Sequence, residues 1–140
     1  MAKHQRKFTL DILTPDGPVL STTAVSLVAP AVDGQIGVLG GHSPLLAMIG
    51  AGRLSLEDQD GLAREFFVSG GFMDIRESAV NVLPEQCLDL PKILPQEAQA
   101  ELVRAQQMPK DSPESRARRQ DALTIAQAKV RVTEKRSDQK

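Results

Sequence analysis

The apolar residues of this chain change their spacing near Leu90, and this change constrains the fold more than any other feature. From Phe8 to about Leu90 they recur at every second position, as in Phe8, Leu10 and Ile12. A period of two places one face of a β-strand on a core and the other in water. Beyond Leu90 the spacing is helical, and no glycine occurs from Phe72 to the C-terminus. The sequence therefore predicts a β domain at 1–90 and a helical segment at 91–140.

Turn signals interrupt the first part of the chain at short intervals. They are Pro15-Asp16-Gly17, Asp33-Gly34, Gly40-Gly41, Gly50-Ala51-Gly52, Asp60-Gly61 and Gly70-Gly71. Glycine, asparagine, aspartate and proline are typical of tight turns between strands. Many short strands joined by such turns predict an antiparallel β-sandwich or a flattened barrel.

Two amphipathic helices are predicted after Leu90. Pro95 suits the first turn of one helix, while Ser112 and Pro113 suit the N-cap and first position of the next. The apolar faces are narrow: Ala98, Leu102 and Ala105 in the first helix, and Ala122, Leu123, Ile125, Ala126 and Val130 in the second. A short connection between two such helices predicts an antiparallel hairpin.

Composition excludes several classes of protein. The chain has 140 residues, 41% hydrophobic and 25% charged, with a net charge of −1, so nothing suggests nucleic acid as a partner. The start, Met1 to Lys7, is polar and basic, and no long apolar run follows it. We therefore expect neither a signal peptide nor a membrane span, and a soluble protein in which any membrane role would depend on a partner. The absence of a transit-peptide pattern favours a bacterial source.

Residues for catalysis are scarce. The two histidines, His4 and His42, have no nucleophile at a recognisable spacing, and neither metal-ligand spacing nor a Walker loop is present. Cys87 follows a strand pattern and is interpreted as a small core residue. We expect no active site, no metal and no cofactor.

Two segments are candidates for binding. In 113–140, eight basic residues stand against four acidic ones. This excess either solvates a helix or docks on an acidic partner. The second segment, Gly34 to Leu46, joins a short apolar strand to a Gly-Gly…Pro loop. It is either a tight sheet corner, with His42 bonded to the backbone, or an exposed contact loop.

Segments in order along most of the chain resemble the epsilon subunits of F-type ATP synthases. Gly34 to Leu46 is similar to the family's Gly-x-x-Gly-(aliphatic)-x-x-Gly-His-(Ala/Ser)-Pro-Leu signature. Further matching segments are Leu10–Gly17, Gly52–Leu54, Phe67–Ile75, Asn81–Leu83 and Thr124–Val132. The order and spacing of these segments, from about Phe8 to Val132, are what make the resemblance specific.

The resemblance implies a sandwich of about ten strands followed by a helical hairpin, in a non-catalytic rotor subunit. The sandwich is expected to bind the gamma subunit and the polar loops of the c-ring, on the cytoplasmic face of a bacterial inner membrane. The expected contact residues are Gln35, Gly40, Gly41, His42, Ser43 and Pro44. Gln35 stands where many members carry a carboxylate.

The resemblance also implies that the hairpin can inhibit ATP hydrolysis by contacting the alpha and beta subunits. The expected contact residues are Arg116, Arg118, Arg119, Lys129 and Arg131. Regulatory ATP binding is not expected, because Gln96 and Gln99 replace the Asp and Arg of the family's ATP-binding pattern. The alternatives are a free-standing β-sandwich binding module with a helical tail and an enzyme with an unrecognised site.

Overall fold

The computed structural model describes residues 6–138, with side chains described through Glu134, so His4 lies outside the described residues. Contacts divide the chain into two compact units, one ending at Leu88 and the other beginning at Asp89. The first unit is built of β-strands. They are β1 Phe8–Thr14, β2 Gly17–Ala31, β3 Gly34–Leu39, β4 Leu45–Met48, β5 Gly52–Asp58, β6 Ala63–Ser69, β7 Phe72–Ile75, β8 Ala79–Leu83 and β9 Gln86–Asp89.

The strands form a mostly antiparallel sheet in the order β4-β7-β8-β1-β2-β5-β6-β9, with β3 also pairing with β2. The fold class predicted from the sequence is confirmed. Within the described residues there are nine strands, which agrees with the expectation of about ten and is one fewer than that number. One reason is β2, which runs 15 residues without a break and pairs with β1 along its first half and with β3 along its second. The pair β1–β8 is parallel.

The core of the β unit consists of the inward residues of these alternating strands. In β1 the buried side chains are Phe8, Leu10 and Ile12, as the period of two predicts. The rest of the cluster is Ala24, Leu27, Ala29, Val38, Ile49, Leu54, Leu56, Phe66, Val68, Met73, Ile75, Val80 and Val82. The burial of these side chains is the main source of stability for the unit, since apolar burial contributes ~25 cal/mol per Å².

The second unit begins with a 3₁₀ turn at Leu90–Lys92 and continues as α1, Pro95–Gln106, and α2, Pro113–Asp138. The predicted cap of α2 is present: the Ser115 amide donates a hydrogen bond to Ser112 Oγ over 3.0 Å. This bond satisfies one of the free amide groups at the start of the helix. Within the described residues, neither helix is long and apolar enough to span a membrane.

The facing surfaces of α1 and α2 are narrow, as the sequence predicts. Ala98, Ala105 and Ala126 are buried, and Leu102, Ala122, Leu123, Ile125 and Val130 are half-buried. The buried surface of α2 also includes residues that the apolar pattern did not predict. They are Ala128, Lys129, Val132 and Thr133.

Candidate functional site

The loop Gly40–Pro44 joins β3 to β4 and is held by backbone contacts. Gly41 has φ +85°, a conformation that side chains disfavour. The Gly41 amide donates to the Glu77 carbonyl over 2.8 Å. His42 Nδ1 donates to the Ser43 carbonyl over 2.6 Å. The loop is thus a fixed turn that leaves Ser43 and Pro44 exposed.

Gln35 does not lie with the other predicted contact residues. It is the second residue of β3, and Gly40 follows the end of that strand. Five residues of extended chain at ~3.3 Å each put about 16 Å between the two positions. Gln35 instead lies beside the β2–β3 turn, where the Val32 amide donates to the Met48 carbonyl over 3.1 Å. The predicted contact residues therefore occupy two separate places on the β unit.

A row of apolar side chains crosses the outer face of the sheet and begins at Met48, beside the β2–β3 turn. Met48 in β4 pairs with Phe72 in β7, which pairs with Leu83 in β8. Directly paired residues point to the same face. Leu13 extends the row, because it shares a groove of about 450 Å³ with Phe72 and Leu83. We call Leu13, Met48, Phe72 and Leu83 the apolar strip.

The apolar strip is accessible and has an acidic row beside it. Met48 is 66% exposed, Phe72 44% and Leu13 39%. The next row of pairs runs Leu46–Asp74, Asp74–Asn81 and Asn81–Asp11. Asp74 is paired with Arg76, whose Nε lies 3.2 Å from Oδ1. An apolar row flanked by carboxylates suits a partner that offers apolar anchors with basic residues at one side.

The five basic residues predicted on the hairpin divide into three environments. Lys129 does not lie on the outer surface: its side chain is 6% exposed and its Nζ lies 2.8 Å from Glu101 Oε1 of α1. Arg116 and Arg119 bind carbonyl oxygens of the hairpin, those of Lys110 at 3.4 Å and Gln106 at 3.3 Å.

Arg118 and Arg131 are exposed, and Arg116 is exposed as well despite its bond to the Lys110 carbonyl. In this conformation of the hairpin, Lys129 cannot contact a partner through its ammonium, because that group is enclosed and ion-paired. Arg116 and Arg119 hold the turn of the hairpin. The exposed charge that remains for a partner is therefore smaller than the sequence suggested.

No group of three or more His, Cys, Asp or Glu side chains within the described residues is arranged to hold a metal ion. The most informative surface feature is thus apolar and lies on the β unit.

Comparison with known proteins gives a consistent result. Residues 7–89 match the family described as the beta-sandwich domain of the ATP synthase delta/epsilon chain. The ATP synthase epsilon chain of Sulfurihydrogenibium sp. (strain YO3AOP1) is 34% identical over 133 residues, covering 88% of this chain and 99% of that relative. The chain belongs to the ATP synthase epsilon-chain family.

Other similarities agree with membership of the epsilon-chain family. The ATP synthase epsilon chain of Desulfatibacillum aliphaticivorans is 40% identical over 76 residues, which is 54% of each chain. A chain in the cryo-EM structure of the Euglena gracilis mitochondrial ATP synthase with its c-ring has the same fold, with a TM-score of 0.78. It is 20% identical, and the similarity covers 91% of this chain and 81% of that one.

Family membership confirms the resemblance read from the sequence. An epsilon chain is a non-catalytic stalk subunit, so this chain is an accessory subunit of ATP synthase and a peripheral part of a membrane complex. Sequence reasoning did not find the apolar strip. The available signal was the segment Leu45–Met48, in which apolar residues occupy both faces of a four-residue strand.

Proposed function

We propose that this epsilon chain joins the central stalk to the c-ring and turns with them, so that rotation of the ring reaches the catalytic subunits through gamma. The β unit binds the foot of the gamma subunit and the polar loops of the ring. This places the chain on the cytoplasmic face of a bacterial inner membrane, held there by the complex. The observation that carries the proposal is the exposed apolar strip in a member of the epsilon-chain family.

The apolar strip is the proposed surface for gamma. A joint that transmits torque has to remain closed through many turns, and stable interfaces bury an apolar centre with a polar rim. The strip supplies such a centre, with Asp11 and Asp74 beside it as a rim. The loop Gly40–Pro44 leads directly into β4 and so lies at one end of the same surface.

The proposed surface for the c-ring is the end of β3 that carries Gln35. Val32 is 66% exposed there, and Gln35 is exposed as well. An amide at position 35 offers both donors and acceptors but no charge. The contact with the polar loops of the ring is therefore proposed to rest on neutral hydrogen bonds and on shape.

The helical hairpin is proposed to inhibit ATP hydrolysis by contacting the alpha and beta subunits. Arg116, Arg118 and Arg131 are the predicted contact residues that are exposed in the hairpin as it stands. Arg116 uses one guanidinium nitrogen in its bond to the hairpin turn and can contribute through its other N–H donors, whereas Arg119 is half-buried beside that turn. Lys129 can contribute only if α1 and α2 separate.

The test is binding to the cognate gamma subunit. The full chain and a chain ending at Leu90 are each mixed with ATP synthase complexes stripped of this subunit, and retention on gamma is measured. Both chains are expected to bind, because the β core is complete before Leu90. If the full chain folds but does not bind, the protein is a free-standing binding module and the proposed function is wrong.

The same complexes test the inhibitory role of the hairpin. ATP hydrolysis is expected to be faster with the chain ending at Leu90 than with the full chain. Equal rates would show that this member has no inhibitory hairpin. That outcome leaves the binding of gamma unaffected, so the two parts of the proposal can be judged separately.

A further inference from the structure

Arg6 lies directly against the two glycines of the loop between β3 and β4. A Cβ atom added at Gly40 would lie 2.5 Å from Arg6 Cβ and 2.6 Å from the Arg6 carbonyl oxygen. A Cβ atom at Gly41 would strike Arg6 Nη1 and lie 3.3 Å from Cζ. The backbone of Arg6 therefore covers Gly40, and its side chain covers Gly41.

The loop is held from another direction by the turn between β7 and β8. The Gly41 amide donates to the Glu77 carbonyl over 2.8 Å. The Thr9 amide donates to the Ser78 carbonyl over 3.0 Å, so the segment carrying Arg6 enters β1 beside that same turn. Three segments distant in sequence thus meet at Gly40–Gly41.

We propose that Arg6 is a positioning residue for the loop Gly40–Pro44. Its aliphatic stem covers the Gly40–Gly41 backbone through Cβ and Cδ, and its guanidinium lies against Gly41 as well. Two adjacent glycines lose more conformational freedom on folding than other residues, so their order depends on such a cover. The inference rests on the proposed function, in which this loop lies at the end of the gamma-binding surface.

Hydrogen exchange in the free full-length chain tests the structural step. Arg6→Ala removes the stem, and Arg6→Met keeps a stem of similar length without the charge. The Gly41 amide is expected to exchange about 10-fold faster in Arg6→Ala than in the native chain, because the loop opens locally more often without the Arg6 side chain. Amides of β5 should be unchanged, and Arg6→Met should stay within about 3-fold of native at Gly41.

Either of two results would overturn the proposal at this step. An unchanged Gly41 rate in Arg6→Ala would show that the Glu77 bond alone holds the loop. A rate in Arg6→Met equal to that in Arg6→Ala would show that the charge, not the stem, orders it.

A double-mutant cycle tests the contact itself. Gly41→Ala is made in the native and Arg6→Ala chains, and its effect on thermal stability is compared. Gly41→Ala is expected to lower the thermal stability less in the Arg6→Ala chain than in the native chain, because the clash with the guanidinium is gone. Gly40→Ala should show no such rescue, since it meets the Arg6 backbone, which Arg6→Ala retains. The proposed contact is contradicted if Gly40→Ala and Gly41→Ala couple equally to Arg6→Ala, or if Gly41→Ala does not couple to it at all.

Binding to the complex stripped of this subunit tests the functional step. Arg6→Ala is expected to bind about 5–10-fold more weakly, and Arg6→Met like the native chain, because a disordered loop has to be ordered on binding. If Arg6→Ala loosens the loop but binds normally, this inference fails while the proposed function stands. If the native chain itself does not bind, the proposed function fails.

Discussion

Phe72 is predicted to be an anchor of the gamma interface, and replacing it should weaken binding without unfolding the chain. The test variant is Phe72→Thr, because threonine retains the preference for a strand while removing most of the apolar area. Phe72 lies in β7 between Met48 and Leu83. Its ring is the largest side chain of the apolar strip.

The expected loss follows from the area that Phe72 leaves exposed. A phenylalanine side chain can bury roughly 150–250 Å². Because 44% of Phe72 is exposed in the free chain, about 70–110 Å² remains for a partner to cover. At ~25 cal/mol per Å² this is about 2 kcal/mol. The dissociation constant should therefore rise about 30-fold.

The assay is titration of labelled chain into ATP synthase complexes from which this subunit has been removed. If the native complex is too tight to titrate, the dissociation rate is measured, since interface changes act mostly on that rate. Leu62→Thr is the matched control, because Leu62 is 60% exposed in the β5–β6 turn and outside the apolar strip. It should bind like the native chain.

Two results would refute the reasoning. Equal weakening by Phe72→Thr and Leu62→Thr would mean that the effect is not located in the strip. Full affinity of Phe72→Thr, with its fold verified by circular dichroism, would mean that gamma binds another surface. A matching decrease with Met48→Thr would extend the interface along the strip, because Met48 pairs directly with Phe72.

Two stability predictions accompany this one. Gly71→Ala should destabilise the β unit by about 2–4 kcal/mol in thermal unfolding, because its Cβ would strike the Leu83 carbonyl oxygen and φ is +83°. Gly61 has a similar φ of +84° but open space around an added Cβ, so Gly61→Ala should lower the stability by only about 1 kcal/mol. Equal losses of stability in the two variants would contradict the clash at Gly71. Lys129→Ala should destabilise the hairpin by about 1–3 kcal/mol. Lys129→Met should destabilise it by less, because methionine keeps the packing of the lysine stem. Both losses are measured by hydrogen exchange of the helix amides. A native-like exchange rate in Lys129→Ala would show that the Glu101 pair contributes nothing.

The fold could be predicted because its local signals agree with one another. The alternation in β1 identified Phe8, Leu10 and Ile12 as core, and the glycine turns separated most strands. The parallel pairing of β1 with β8 has no local signal, since it joins residues far apart in sequence. The length of β2 was also not predicted, because one strand that serves two partners looks like two strands by length.

The candidate site was predicted only in part. The sequence identified the loop, because the chemistry of a Gly-Gly turn is local. It did not identify the apolar strip, since an apolar side chain on a four-residue strand looks the same whether it faces the core or a partner. Arg6 was missed for a similar reason: its contact with Gly40 depends on how β1 is placed beside the β7–β8 turn.

The helical spacing of Lys129 indicated a buried position, although its charge suggested an exposed one. It follows Ala122 by seven residues and Ala126 by three, which places it on the buried face of α2. Glu101 follows Ala98 by three residues on the facing helix. A buried lysine that faces a half-buried glutamate on the paired helix indicates an internal ion pair more strongly than a docking surface.

This ion pair bears on how the hairpin could inhibit. If α1 and α2 separate to reach the alpha and beta subunits, Lys129 and Glu101 lose their mutual contact, and both groups must find new partners. Exposed ion pairs contribute only ~0.2–1 kcal/mol each, so new contacts by Arg118 and Arg131 offset that loss only in part. Separation would also expose the small apolar faces of the helices, such as Ala98 and Ala126, so these faces have to be buried again against the partner. An extended inhibitory state of this chain therefore depends on packing more than on its arginines.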